Sequence, residues 1–279
     1  MRPSLPTADR HAGAAESVSW RVHREVALLL GWGSAILLQF AHPLVARGVA
    51  DHSGFRRDTR ASWRRLQRTL GAMLDLTFGG EDGAARAAGA INRVHDRIHG
   101  PLRQPEGPYP AGASYSAHDP SLLTWVHASC LDAFTRAYEL YVGPLTPQDK
   151  DRYCAEAARV EPLLGIPEGS LPRSTVELQT YMDARLGSGQ IVVTDTARAL
   201  ARDLLAPPVL RVVWPLAWMF RIVAIGLLPP SIRAAYGFRW DARHRTALGA
   251  GAWLVRHALP LLPPVLRYWP AARAARRQG

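Results

Sequence analysis

Apolar residues recur at helical spacing along most of this chain, and nowhere does a sustained alternation of apolar and polar positions predict a strand. The first such stretch, about residues 19–40, is apolar almost all round and reads as a fully buried helix, with a break at Pro43. Asp58 is placed to cap a helix running through Asp75, whose apolar face carries Trp63, Leu66, Leu70, Met73 and Leu74. Arg65 and Thr69, four apart, share a neighbouring stripe with Arg68 beside it, and Gly79-Gly80 closes the helix. Another helix is predicted over about residues 82–99, ended by Gly100, which sets Ile91, His95 and His99 on one face. Residues 100–116 are rich in proline and glycine and read as a long loop, a class often functional in compact domains.

Asp119-Pro120 and Thr146-Pro147 are helix starts, and Ser174 with Glu177 has capping-box spacing. After Asp119, one helix face carries Leu123, His127, Leu131, Phe134, Tyr138 and Tyr141. A further helix follows Thr194 and ends at Pro207-Pro208. Residues 209–228 are apolar with Arg211, Arg221 and a central Pro215, and residues 253–266 are similar with three prolines. The pattern therefore predicts an all-α protein. A flexible, aperiodic arm over residues 1–16 precedes one helical domain over 17–207. A helical extension over 208–279 follows, either packed on the body or touching a membrane peripherally. Tryptophan, arginine and interrupting prolines suit an interfacial element better than a membrane span.

Composition narrows the class. At 48% hydrophobic the chain is globular rather than disordered. The net charge of +11 is carried almost wholly by arginine, Lys150 being the only lysine, and points to anionic partners. No helix clusters arginines with base-reading polar residues, so nucleic acid is not the expected partner. Two cysteines, Cys130 and Cys154, make no disulfide framework, and a reducing, cytoplasmic setting is expected. No cleavable leader is expected, because the apolar run starts deep in the chain with Glu25 abutting it. Its length would allow a span through His42-Pro43, but Gly31, Gly33, Gln39 and Pro43 interrupt it, which favours a buried core helix. There is no phosphate-cradling loop and no Cys-x-x-Cys, His-Glu-x-x-His or Gly-x-Ser-x-Gly, and Gly31-Trp32-Gly33 is no dinucleotide fingerprint.

Two constellations carry candidate chemistry. Six of the ten histidines fall between positions 42 and 127: His42, His52, His95, His99, His118 and His127. For any one of them a hydrogen-bonded core imidazole is the commoner case. A group this dense could instead bind a metal or line a cofactor pocket, although no pair has the spacing of a zinc module. The second constellation is Arg64, Arg65 and Arg68 with Thr69. As a rule such arginines solvate a helix face; functionally they could pair with carboxylates such as haem propionates or polarise dioxygen.

Taken together, Ala41-His42-Pro43-x-Val45-Ala46-x-Gly48-Val49-x-x-His52-Ser53, Arg65-Leu66-Gln67-Arg68-Thr69, Val94-His95-Asp96-Arg97-Ile98-x-Gly100, Tyr115-Ser116-Ala117-x-Asp119-Pro120 and Trp125-Val126-His127-Ala128 resemble one family. It is that of the bacterial latex-clearing rubber oxygenases and the fungal mycophenolic-acid-pathway oxygenase, and the likeness covers about residues 24–207. The resemblance implies a globin-like helical core, a haem b, and oxidation or cleavage of a hydrophobic, isoprenoid or lipid-like substrate with dioxygen. It places His95 as the iron ligand, with His99 as second choice. Arg65 and Thr69 match the family's Arg-x-x-Lys-Thr motif, with Arg65 beside the cofactor, whereas Arg68 replaces the lysine. Arginine stays protonated and cannot coordinate iron, so a lysine-capped iron does not carry over. His52 and Asp51 are the candidates for the base, and His42 and His127 are read as core residues. The alternative function is a haem-binding sensor or carrier without catalysis.

Overall fold

The computed structural model describes residues 17–52, 59–206 and 214–278. The arm over 1–16, the Asp58 cap and the Pro207-Pro208 boundary lie outside the described residues, as do the side chains of Arg64 and Arg65.

The expected first helix is three pieces: α1 (Val18–His23), a 3-10 turn (Val26–Leu28) and α2 (Leu29–Phe40). The break falls at Glu25, whose backbone is extended and bridges Tyr268. Its side chain is fully buried and takes a two-pronged hydrogen bond from Arg267, at 2.9 and 2.8 Å. Local helical periodicity gives way because a buried carboxylate needs its partner, and that partner sits near the far end of the chain. Replacing Arg267 with alanine should therefore destabilise the protein by about 3–5 kcal/mol, the usual cost of leaving one half of a buried pair. Urea unfolding measures it. A change near zero would mean that Arg24, whose Nε lies 3.8 Å from the carboxylate, takes over.

α3 (Pro43–His52) follows a sharp corner, the chain turning by 106°. His42 makes that corner. It is 1% exposed, its Nδ1 accepts the Leu44 amide at 3.3 Å, and Nε2 therefore donates to the Tyr109 hydroxyl at 3.4 Å. Next come α4 (Thr59–Phe78) and α5 (Gly80–His95), joined at Gly79 into a hairpin whose arms pack together.

The helix expected over 82–99 stops at His95 instead of His99. His99–Pro101 forms β1 and pairs antiparallel with β2 (Ser114–Ser116), Gly100 facing Tyr115. Proline disfavours helical backbone at the residue before it, so Gly100-Pro101 resists continuation and the ladder with Ser114–Ser116 takes the chain instead. This ribbon closes the ends of the loop over 100–116.

α6 (Pro120–Tyr141) starts at Asp119, whose Oδ1 accepts the Ser121 amide at 2.8 Å. Its predicted inner face is buried, apart from the half-buried His127. α7 (Pro147–Ala157) is capped by Thr146, α8 (Glu161–Leu164) is one turn, α9 (Thr175–Gly187) is capped by Ser174, and α10 (Asp195–Leu205) is capped by Thr194. α11 (Trp214–Gly226), α12 (Pro230–Ala235), α13 (Ala242–Ala258), α14 (Pro264–Arg267) and α15 (Pro270–Gln278) complete the chain.

α2 is the central helix, packed between α6 and α11. Gly31 and Gly33 permit this: a Cβ at either would sit 2.7 Å from the methyl of Ala137 on α6 or of Ala224 on α11. The Gly-Trp-Gly stretch is thus a close-packing device. The architecture is all-α, the short ribbon being its only sheet among the described residues.

Candidate functional site

The α4–α5 hairpin sets the geometry. Arg65 and His95 lie at nearly equal distances along the two arms from the turn at Gly79, so their backbones stand at the same level. One turn nearer the tip, Thr69 shares a stripe with Met73 and Leu76, both of which pack into the core. Thr69 itself is exposed, as are Gln67 and Arg68.

His95 ends α5 and is half-buried. Its ring meets His118 edge to face, with centroids 5.8 Å apart. Burial, then the proximity of His118 and His127, pushes its pKa down to about 4, which outweighs the opposite pull of Asp96. The imidazole is therefore neutral at physiological pH. Its Nδ1 is buried and has no hydrogen-bond partner among the described residues. His118 donates from Nε2 to Asp96 at 2.8 Å, a contact made across the ribbon. On α6, His127 donates from Nδ1 to the Leu123 carbonyl at 3.0 Å, and burial lowers its pKa, so its Nε2 carries the free lone pair. A backbone bond of this kind is what usually orients a metal-ligating imidazole. The structure thus brings together three of the six histidines of the sequence window.

His52 belongs to a different network. It is exposed at the end of α3, with Nε2 3.2 Å from the Tyr115 hydroxyl. That hydroxyl donates to Asp51 at 2.8 Å, so its oxygen accepts from His52 and Nε2 is the donor. Asp51 also pairs with Arg47, and burial together with Asp51 pushes Tyr115 up to about 12. Among the described residues no hydrogen bond joins this network to His95. His99 is exposed on β1, opposite Ser116, off the face that carries His95. Neither Tyr115 nor Asp96 has a functional role in the sequence reading; each is signalled only by its family motif, Tyr115-Ser116-Ala117-x-Asp119-Pro120 and Val94-His95-Asp96-Arg97-Ile98-x-Gly100.

A cavity of about 580 Å³ lies elsewhere, lined by Arg47, Arg103, Glu106, Thr194, Asp195 and Arg198 among others. Its lining is charged, and Arg47 and Arg198 are already paired with Asp51 and Asp195. Such a lining does not suit an apolar ligand. Among the described residues no three of His, Cys, Asp or Glu are grouped to hold a bare metal ion.

The fold and site define an all-helical protein in which the neutral imidazoles of His95 and His127 gather with His118 where a helical hairpin meets a third helix. Residues 20–257 match the family described as ER-bound oxygenase mpaB/B'/Rubber oxygenase, catalytic domain, and the chain belongs to this oxygenase family. The resemblance read over residues 24–207 therefore holds, and the match runs further. Two mycobacterial relatives, uncharacterized proteins of Mycobacterium bovis and Mycobacterium tuberculosis, are each 29% identical over 213 residues, covering 74% of this chain and 78% of theirs. No solved structure matches the chain.

Proposed function

We propose that this oxygenase depends on haem b and uses dioxygen to oxidise or cleave a hydrophobic, isoprenoid or lipid-like, substrate. The observation that supports this reading is His95: a neutral imidazole at the end of α5 whose buried Nδ1 has no hydrogen-bond partner among the described residues. Haem needs one such nitrogen from the protein and brings its other iron ligands with it. That requirement fits a site where single imidazoles, not a cluster of ligating groups, are on offer. When bound, the haem supplies the activation of dioxygen.

The chain's own residues have assigned tasks. His95 would hold the iron. Arg65 and Thr69, one turn apart on α4 and matching the family's motif, would supply hydrogen-bond donors to dioxygen. Arg68 stays protonated and pairs with a propionate or steadies the pocket. His52, with Nε2 committed to Tyr115, holds or moves a proton only through its other nitrogen. Ile91 and Leu123, packed around the base of the hairpin, keep water from that end of the site.

The test is the absorption spectrum of freshly purified protein, which should show a Soret band with haem extractable as haem b. Its absence after expression with added haem precursor would remove the reading. Haem without oxygen uptake, across a panel of terpenoids and lipids, would favour a sensor or carrier. Because a guanidinium offers iron no lone pair, the ferric protein should bind added imidazole readily, and Arg68→Lys should weaken that binding in a pH-dependent way. Imidazole titration followed in the Soret region checks this.

A further inference from the structure

Between Trp253 and Leu266 the chain passes from the end of α13 through a 3-10 turn (Leu259–Leu261) into α14, leaving large apolar side chains in solvent. Trp253, Leu254, Val265 and Leu266 are 57–62% exposed and Leu261 is 83% exposed. Leu262 adds to the row, and Trp218 is exposed on α11, which packs on α13. Single exposed apolar residues are ordinary on a protein surface, but a contiguous run of this kind marks an interaction face.

Along this stretch of sequence the charge is of one sign: residues 242–279 contain seven arginines and no aspartate or glutamate. Arg256 and His257 are exposed within the apolar run itself. A second copy of the chain laid on this face would set Arg256 against a run that has no acid of its own to pair it. An anionic bilayer supplies both needs, an apolar layer for the leucines and tryptophan and phosphates for the guanidinium groups. No single helix among the described residues is long and apolar enough to cross a membrane, and Pro260, Pro263 and Pro264 interrupt this one. The run is anchored to the body, since Arg267 directly after it holds the buried Glu25. Its second half, Leu261 to Leu266, lies beyond residue 257, where the family match ends.

We propose that residues 253–266 dock the protein on the surface of an anionic lipid bilayer, lying in the interface without spanning it. This stands on the surface alone and holds or fails independently of the haem reading.

The experiment uses the full chain and sucrose-loaded vesicles of mixed phosphatidylglycerol and phosphatidylcholine, with pure phosphatidylcholine as the comparison. The protein should sediment with the anionic vesicles at low salt and bind at least about tenfold more weakly to neutral ones or at high salt. The double substitution L261E/L266E should weaken binding by about tenfold or more, since it removes two inserted side chains. Both positions are exposed, so its urea midpoint should match the parent's. Arg256→Glu, a second variant, should weaken binding to anionic vesicles only. Equal binding of parent and double variant, equal binding to neutral vesicles, or no binding at all would overturn the proposal. So would a dimer in light scattering that the double variant dissolves, because the face would then be covered by a second copy.

Discussion

His95→Ala protein should fold at its normal yield and carry less than about a tenth of the parent's haem. Both halves of this expectation come from the same geometry. The ring sits half-buried at the last residue of α5, and its Nδ1 makes no hydrogen bond among the described residues, so little stability is lost with it. In the proposed function this neutral imidazole is the iron ligand. Haem content by the pyridine haemochrome method, together with the urea midpoint, measures the two effects. His99→Ala is the control and should retain haem, because His99 lies on the ribbon and faces solvent. His127→Ala gives the discriminating result. Its Nδ1–H bond to Leu123 leaves Nε2 free, so haem kept by His95→Ala and lost by His127→Ala would move the ligand from α5 to α6.

The second large effect is acid lability that sets in below about pH 6.5, before carboxylates titrate. His23 and His42 are both buried neutral, and burial lowers each from 6.5 to about 4. His23 lies against Phe134 and shares a 3.0 Å hydrogen bond with the Tyr153 hydroxyl, while His42 turns the corner between α2 and α3. Between pH 6.5 and 4 the unfolded chain binds protons at these sites that the folded chain does not, so stability rises with pH across this window. It should be fully present above about pH 6.5, fall as the pH drops, and level off for these two groups below about 4. At ~1.4 kcal/mol per unit the two together contribute at most about 7 kcal/mol. Asp51, held below the usual carboxylate range by Arg47, acts only at lower pH, and Asp132, raised by burial, works weakly in the opposite sense. Urea midpoints from pH 7.5 to 4 check the slope, and His42→Gln should flatten it while lowering stability at neutral pH. A flat profile over that range would refute the account.

Helix starts were legible in the sequence because a cap is a local device. Asp119, Thr146, Ser174 and Thr194 each bond amides within three residues of themselves, and the helices begin where those side chains stand. The family motifs were legible for a similar reason, since residue types at fixed short spacings survive without knowledge of the fold. The end of α5 was half legible, in Gly100-Pro101, but helical periodicity through His99 masked it.

What tertiary structure alone decided depends on partners distant in the chain. Helical periodicity runs straight through Glu25, and the break there exists because Arg267, 242 residues away, fills the buried site. The meeting of His95, His118 and His127 requires the ribbon to return the chain to the end of α5, where His118 bonds Asp96, and Leu123 of α6 to pack with Ala88 and Ile91 of α5, and no spacing encodes that. The run from Trp253 to Leu266 is apolar in the sequence whether it faces the core or the solvent. Only the packing of the other helices, which leaves it uncovered, makes it a surface, because burial depends on what the remaining chain covers.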